Sequence, residues 1–312
     1  MVRQQTSRTA LTLSFLALLC GSVWQAAASQ TLTARSSSHT VALLELYTSE
    51  GCSSCPTADS WVSSLPAQGF RPDQVIPLAL HVDYWDYLGW PDRFAKTVFT
   101  QRQRAIAALH RTRTIYTPQV LLQGKDFRTW HSLGAEVERI NQTPARAHIT
   151  MQITAAQKGE LDVQVDAVIP APTDRQQAFL YVALYENQVQ SAVSAGENQG
   201  RTLHHDFVVH HWLGPVPLDG QGRVKHTARL SVAPNWKPAD LGLVVYATTA
   251  YGRCAASPRP AAWQIAYFTD PVLLSTPSMC NSMPSPEGAN RVRTTLAHRA
   301  TRPHCDPHDV SS

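Results

Sequence analysis

The chain has 312 residues, of which 43% are apolar and 16% charged, with a net charge of +4. Length and composition suit two domains with proper cores and exclude a largely disordered chain. The arginines are scattered and form no basic face, which speaks against nucleic acid as a partner.

Residues 1–28 carry Arg3 and Arg8, an apolar segment from Ala10 to Val23, and Ala26-Ala27-Ala28 ahead of Ser29. This is the layout of a secretory signal, so the mature protein is expected to be secreted or periplasmic after cleavage near Ala28. No other stretch approaches the roughly 20 apolar residues of a membrane helix, so no stable membrane span is expected. Cys20 leaves with the signal, and the other five cysteines meet an oxidising compartment, where disulfides persist. Residues 29–40, rich in Ser and Thr, read as a flexible leader.

Val41 to Tyr47 is apolar enough for a buried strand, and Ala58, Trp61, Val62 and Leu65 have helical spacing. Cys52 and Cys55 fall where that strand turns into that helix. Free backbone N–H groups and the macrodipole at a helix start stabilise a thiolate, so Cys52 suits an attacking sulfur and Cys55 a resolving one. A static disulfide or a pair of zinc ligands are the competing readings, although no second Cys-x-x-Cys supplies the remaining zinc ligands. After the breaker Gly69 to Pro72, Val75 to Val82 has strand composition, which completes a strand–helix–strand crossover with parallel strands. The aromatic run Tyr84, Trp85, Tyr87 and Trp90 follows at its carboxyl end, where ligands bind in open α/β sheets. It serves either substrate contact or simple cover for the core.

Residues 92–109 have an amphipathic helical pattern, with Phe94, Val98, Phe99, Ile106 and Leu109 inward and Arg102, Gln103 and Arg104 outward. Thr114 to Leu122 leads into a third strand, Gly124 turns a hairpin toward Phe127–Trp130, and a helix from Leu133 to Ile140 closes the unit. The order is that of a thioredoxin-like domain over residues 41–145. In that arrangement Thr117-Pro118 stands at the head of the third strand, facing the cysteines, and a cis peptide is expected there. Glu45, on the strand entering the site, is a candidate carboxylate for moving a proton to Cys55, or else a plain strand-edge glutamate.

Four segments resemble the secreted thioredoxin-like family known as domain of unknown function 1223. They are Leu44–Pro56, His81–Trp90, Arg102-Gln103-Arg104 and Tyr116–Gln119, and Gly196–Phe207 is similar to the family's second half. The resemblance implies a thioredoxin-like fold and leaves the substrate open.

Residues 146–275 alternate apolar and polar positions in short runs, as at 148–153, 161–168, 179–185 and 241–247, and read as a small all-β sandwich-like domain. His204, His205, His210 and His211 invite a metal reading, but adjacent strand residues face opposite sides, so one of each pair at most could share a site. The bland reading is surface or turn histidines. Residues 276–312 read as a disordered tail, and a Cys254–Cys280 bridge would pin its start and leave Cys305 unpaired. The functional expectation is a thiol-disulfide oxidoreductase with catalytic residues Cys52, Cys55, Pro118, Thr117 and Glu45, acting on protein or peptide thiols and disulfides without a cofactor. The alternative is a periplasmic copper or other metal carrier using the same cysteines with His81.

Overall fold

The structure is a computed structural model, and it describes residues 31–156, 159–175, 178–249 and 262–268. The expected signal, the tail and Cys254, Cys280 and Cys305 lie outside the described residues. The first strand, β1 (Thr31–Arg35), corrects the expectation of a flexible leader. It pairs antiparallel with β6 (His148–Ala155), Thr31 opposite Thr154 and Arg35 opposite Thr150. Its Leu32 and Ala34 pack against a core far away in sequence, which supplies the burial that a Ser/Thr-rich composition conceals.

β2 (Ala42–Thr48) is buried throughout, and α1 (Cys55–Ser64) follows it, with Pro56 in the first turn where a missing N–H costs nothing. β3 (Val75–His81) lies parallel to β2, Ala42 opposite Val75 and Thr48 opposite His81, as the crossover predicts. α2 (Thr97–Leu109) begins five residues later than its apolar pattern suggests, because Asp92 to Lys96 are used in the loop that closes over β3. β4 (Gln119–Leu122) runs antiparallel to β2 and turns into the short β5 (Lys125–Asp126), and α3 (Leu133–Asn141) completes this half.

The second half consists of β6, β7 (Glu160–Val168), the four-residue α4 (Pro172–Arg175), β8 (Ala178–Glu186), β9 (Val189–Ala192), β10 (Thr202–His205), β11 (Val208–Pro217), β12 (Arg223–Ser231), β13 (Leu241–Thr249) and β14 (Ala262–Phe268). It is not a separate sandwich. β11 joins β3 through the parallel pair Val208 and Ala79, so one sheet of eight strands runs β14-β13-β8-β11-β3-β2-β4-β5 through both halves. The change expected at residue 145 is a change of element type, with no break in the sheet.

Alternation along the strands sets what lies on each face. Leu43, Tyr47, Leu78, Leu80, Tyr181, Tyr185, Val209 and Tyr246 share a core with Phe99 and Ile106 of α2. On the other face, Leu44 and Leu46 pack with Ala58, Val62 and Val137 of α1 and α3, while Leu180, Val182, Leu184 and Val245 pack on a second sheet of order β1-β6-β7-β12. β9 and β10 form an antiparallel ribbon of their own, and α1 packs directly against β10, which brings the second half of the chain to the seam beside α1.

Candidate functional site

Beyond Thr48 the chain leaves β2 through Ser49, Glu50 and Gly51 and enters α1 at Cys55. Cys52 and Cys55 are joined in a disulfide with their Cα atoms 5.4 Å apart, within ordinary disulfide reach. The turn is held from within: the Cys52 N–H donates to the Ser49 carbonyl at 3.2 Å and the Cys55 N–H to the Cys52 carbonyl at 3.2 Å. Gly51 lets Trp85 approach closely, since a Cβ there would lie 3.1 Å from the Cβ of Trp85. Trp85 in turn donates from Nε1 to Thr117 Oγ1 at 2.7 Å. The aromatic loop thus wedges between the cysteine turn and Thr117. Thr117–Pro118 is a cis peptide, and because β4 is antiparallel to β2, with Gln119 opposite Tyr47, its head lies at the end of the sheet where β2 runs toward the cysteines.

Glu45 is placed elsewhere. It is fully buried, and Arg102 donates from Nε to its Oε1 at 2.7 Å. Strand alternation sets Glu45 with Leu43 and Tyr47 on the α2 face, opposite the face that carries α1. It is therefore one half of a buried ion pair, and the structure does not bring it to the sulfurs. Its partner corrects a second expectation: Arg102 and Gln103 point inward, and of the three polar residues only Arg104 is exposed. The Arg102 guanidinium lies over Tyr181 at 5.1 Å and Trp212 at 4.8 Å, which ties α2 to the second half. Gln103 donates to the Tyr116 carbonyl at 2.9 Å and to Gln119 Oε1 at 2.8 Å, and it accepts from the Tyr84 hydroxyl at 3.2 Å. It fastens the approach to Pro118.

The cysteine turn is closed by residues that sequence reasoning left in another domain. Asn198, fully buried, donates from Nδ2 to the Glu50 carbonyl at 2.8 Å and to the Cys52 carbonyl at 2.9 Å. Glu197 Oε2 accepts from the Ser53 N–H at 2.9 Å, and this contact holds the exposed Glu197 carboxyl below its usual range. Gly196, at φ +74°, sits against Trp90, where a Cβ would come within 3.3 Å of Trp90 Cβ. With this loop in place Cys52 is only 1% exposed and Cys55 is fully buried. Gly196–Phe207 was the signal for these contacts, through its likeness to the family's second half, but nothing local tells where that segment docks.

Beneath the disulfide lies a buried group of ionisable side chains at the seam: Glu50, Asp59, His81, Asp92 and His205. His81 and Asp92 pair at 2.7 Å between Nδ1 and Oδ2. Burial opposes the charge on His81, but Asp92, helped by Asp59 and Glu50, outweighs it and raises the imidazole above its ordinary range. Burial likewise pushes Asp92 up, and His81 with the N–H groups of Glu50 and Phe94 brings it net below the usual carboxylate range. Glu50 is also held low against its burial, by His205, Ser191 and the Trp90 indole, whose Nε1 donates to Oε2 at 2.7 Å. Asp59 goes the other way: burial dominates and raises it, in spite of His205 and His81.

The four histidines divide as strand alternation requires, and the surface reading fails for two of them. His205 is buried in this group and His204 is exposed on the other side of β10. His210, also buried, pairs with Glu186 at 2.8 Å and stacks on Trp236 at 4.0 Å, while His211 reaches the Ser231 carbonyl. Among the described residues no group of three or more His, Cys, Asp or Glu side chains is arranged to hold a metal ion. No helix among them is long and apolar enough to cross a membrane.

Fold and site together define a mixed α/β chain in which a disulfide at a strand-to-helix turn is closed over by a loop from the chain's other half. The chain belongs to the family described as protein of unknown function (DUF1223), which matches residues 43–248. No functionally curated protein matches it. Among solved structures it is similar to a protein from Agrobacterium tumefaciens, at 24% identity over 74% of this chain and 95% of that one, with a TM-score of 0.50. It is also similar to HBP35 of Porphyromonas gingivalis, at 11% identity over 83% and 81% of the two chains, with a TM-score of 0.55. At these identities the likeness is one of fold.

Proposed function

We propose that this is an exported thioredoxin-like protein in which Cys52 and Cys55 exchange with thiols and disulfides of proteins or peptides. The observation that carries the reading is the Cys52–Cys55 disulfide at the first turn of α1, beside the Thr117–Pro118 head of β4. The helix start favours a thiolate on Cys52, and the backbone ahead of Pro118 is the edge along which an extended substrate would lie. In the cycle a substrate thiolate attacks Cys52, the Cys52–Cys55 bond breaks, and a second substrate thiol attacks the mixed disulfide, releasing the substrate as a disulfide and the protein as a dithiol; the reverse direction reduces a substrate disulfide and re-forms Cys52–Cys55. Because Cys52 is covered, exchange requires the loop bearing Glu197 and Asn198 to lift.

Equilibrating the full chain with glutathione buffers of graded potential, and trapping free thiols for mass spectrometry, tests the reading. An exchanging dithiol titrates above about −300 mV, whereas a structural disulfide stays oxidised there. A disulfide that resists reduction down to that value, in protein that remains folded, would make Cys52–Cys55 a structural link. Cys52→Ser is expected to abolish insulin reduction, and unchanged activity in that variant sinks the mechanism.

A further inference from the structure

The buried group at the seam contains bonds that explain themselves and others that do not. His81 Nδ1 pairs with Asp92, Asp92 also accepts from the N–H groups of Glu50 and Phe94 at 2.9 Å each, and Trp90 satisfies one oxygen of Glu50. Left over are Asp59 Oδ2, Glu50 Oε1, His81 Nε2 and both ring nitrogens of His205, which are buried without a hydrogen bond, and His205 lies between two of these carboxylate oxygens. They stand at ion-pair separations, His205 Nδ1 3.7 Å from Asp59 Oδ2 and His205 Nε2 3.4 Å from Glu50 Oε1. Burying such groups half-satisfied is costly. A purely structural contact would be expected to close up.

Asp59 follows Cys55 by one turn of α1, and both face inward. Side chains of a helix lean toward its N-terminus, so the Asp59 carboxyl covers the turn that carries the Cys55 sulfur. His205 reaches it from β10, which packs on α1. We infer that Asp59 exchanges a proton with Cys55, and that His205, supplied by the second half of the chain, is the positioning residue that sets the charge on Asp59. The inference rests on the exchange reading above and assigns to Asp59 the role first sought in Glu45.

A thiolate of a protein or small-molecule thiol attacks Cys52 Sγ and forms a new S–S bond. The Cys52–Cys55 bond breaks, and its electron pair stays on Cys55 Sγ. The Asp59 carboxyl gives its proton to that sulfur, leaving a carboxylate that faces His205, with Glu50, His81, Asp92 and Thr48 around it. In reverse, the Cys55 thiol hands its proton to the Asp59 carboxylate as its sulfur attacks the mixed disulfide. Burial already favours the protonated carboxyl needed for the forward direction, and His205 and His81 moderate that preference.

The test is the rate at which dithiothreitol reduces the oxidised full chain between pH 5 and 9, with quenched thiols counted by mass. Compared are the unaltered protein, Asp59→Asn and His205→Gln, each checked for folding by circular dichroism. Asp59→Asn is expected to slow reduction roughly tenfold or more near neutral pH and to remove one inflection from the profile. His205→Gln is expected to keep that inflection and move it to higher pH, because His205 favours the carboxylate. If Asp59→Asn does not fold, the His205→Gln shift alone decides. Profiles parallel to that of the unaltered protein overturn the inference and leave the exchange reading intact. An unaltered protein that dithiothreitol cannot reduce while folded overturns both.

Discussion

Asn198→Asp isolates what the covering loop does. The substitution keeps the shape of a fully buried side chain but removes both donors, leaving the Glu50 and Cys52 carbonyls facing a carboxylate oxygen. Each orphaned acceptor costs about 1–3 kcal/mol, and the new carboxylate pairs with Arg201, which already donates to Oδ1 at 2.9 Å, so part of that loss is offset. A net loss of about 2 kcal/mol in loop closure raises the open population roughly 30-fold, at 1.4 kcal/mol per factor of ten. Reduction of Cys52–Cys55 by a small thiol, followed by alkylation and mass measurement at constant pH, should accelerate by about that factor. Urea unfolding run in parallel shows whether the molecule as a whole has loosened. A folded variant reduced at the original rate would mean that the loop does not gate the disulfide, and the argument from the burial of Cys52 would fall.

The Glu45–Arg102 pair predicts that Arg102→Met alone destabilises by about 3–5 kcal/mol, and that Arg102→Met with Glu45→Leu recovers much of it, since an uncompensated buried charge is what costs. Urea midpoints decide, and an altered pH profile of reduction at unchanged stability in Glu45→Gln would instead return Glu45 to the proton path. Stability should be greatest on the mildly acidic side. The raised His81 contributes below its ordinary 6.5, and that contribution is lost as pH rises through its folded value. The lowered Asp92 and Glu50 contribute above their ordinary 3.8 and 4.5, and theirs is lost as pH falls through their folded values. Asp59, raised, disfavours the fold as pH climbs above 3.8. Chemical denaturation at several pH values should therefore show stability declining as pH rises above the ordinary 6.5 of His81, and a flat curve there would contradict the His81–Asp92 assignment. Gly242→Ala would drive a Cβ into the hydroxyl end of the Tyr185 ring on the neighbouring strand, so a loss of about 1–3 kcal/mol is expected in the same assay, and a neutral result would show that the ring moves freely.

What the chain reveals before folding is whatever is settled over short distances. Val41 to Tyr47, the two cysteines and the α1 pattern lie together, and the parallel β2–β3 crossover and the cis Thr117–Pro118 follow from local order. The contacts that finish the site do not. Asn198 lies 146 residues from Cys52, and Arg102 is 57 residues from Glu45. Polar residues on a helix read as solvent-facing, and only their partners show Arg102 and Gln103 to be inside. The Ser/Thr-rich start of the chain reads as mobile because strand formation there depends on β6. His205 was half legible: alternation put one of each histidine pair inward, but what it would meet came from α1 and from the turn after β2. Asp59 carries a local signal, an acidic residue one helical turn after Cys55 on the stripe that α1 buries with Ala58 and Val62.

The meeting of β11 with β3 at Val208 and Ala79 bears on how the molecule can be divided. The Ala79 N–H donates to the Phe207 carbonyl at 2.8 Å, so the rim of β3 is spoken for by the chain's later half. A fragment ending near residue 145 would expose that rim as an unpaired strand, a template for self-association. It would also lack Asn198 and His205, so its cysteines would lose the cover that buries them in the whole protein. Reactivity measured on such a fragment would describe a different chemical object. For the same reason, inheritance of this site is expected to act on the two halves as a unit, with exchange of one half alone leaving a rim without its neighbour.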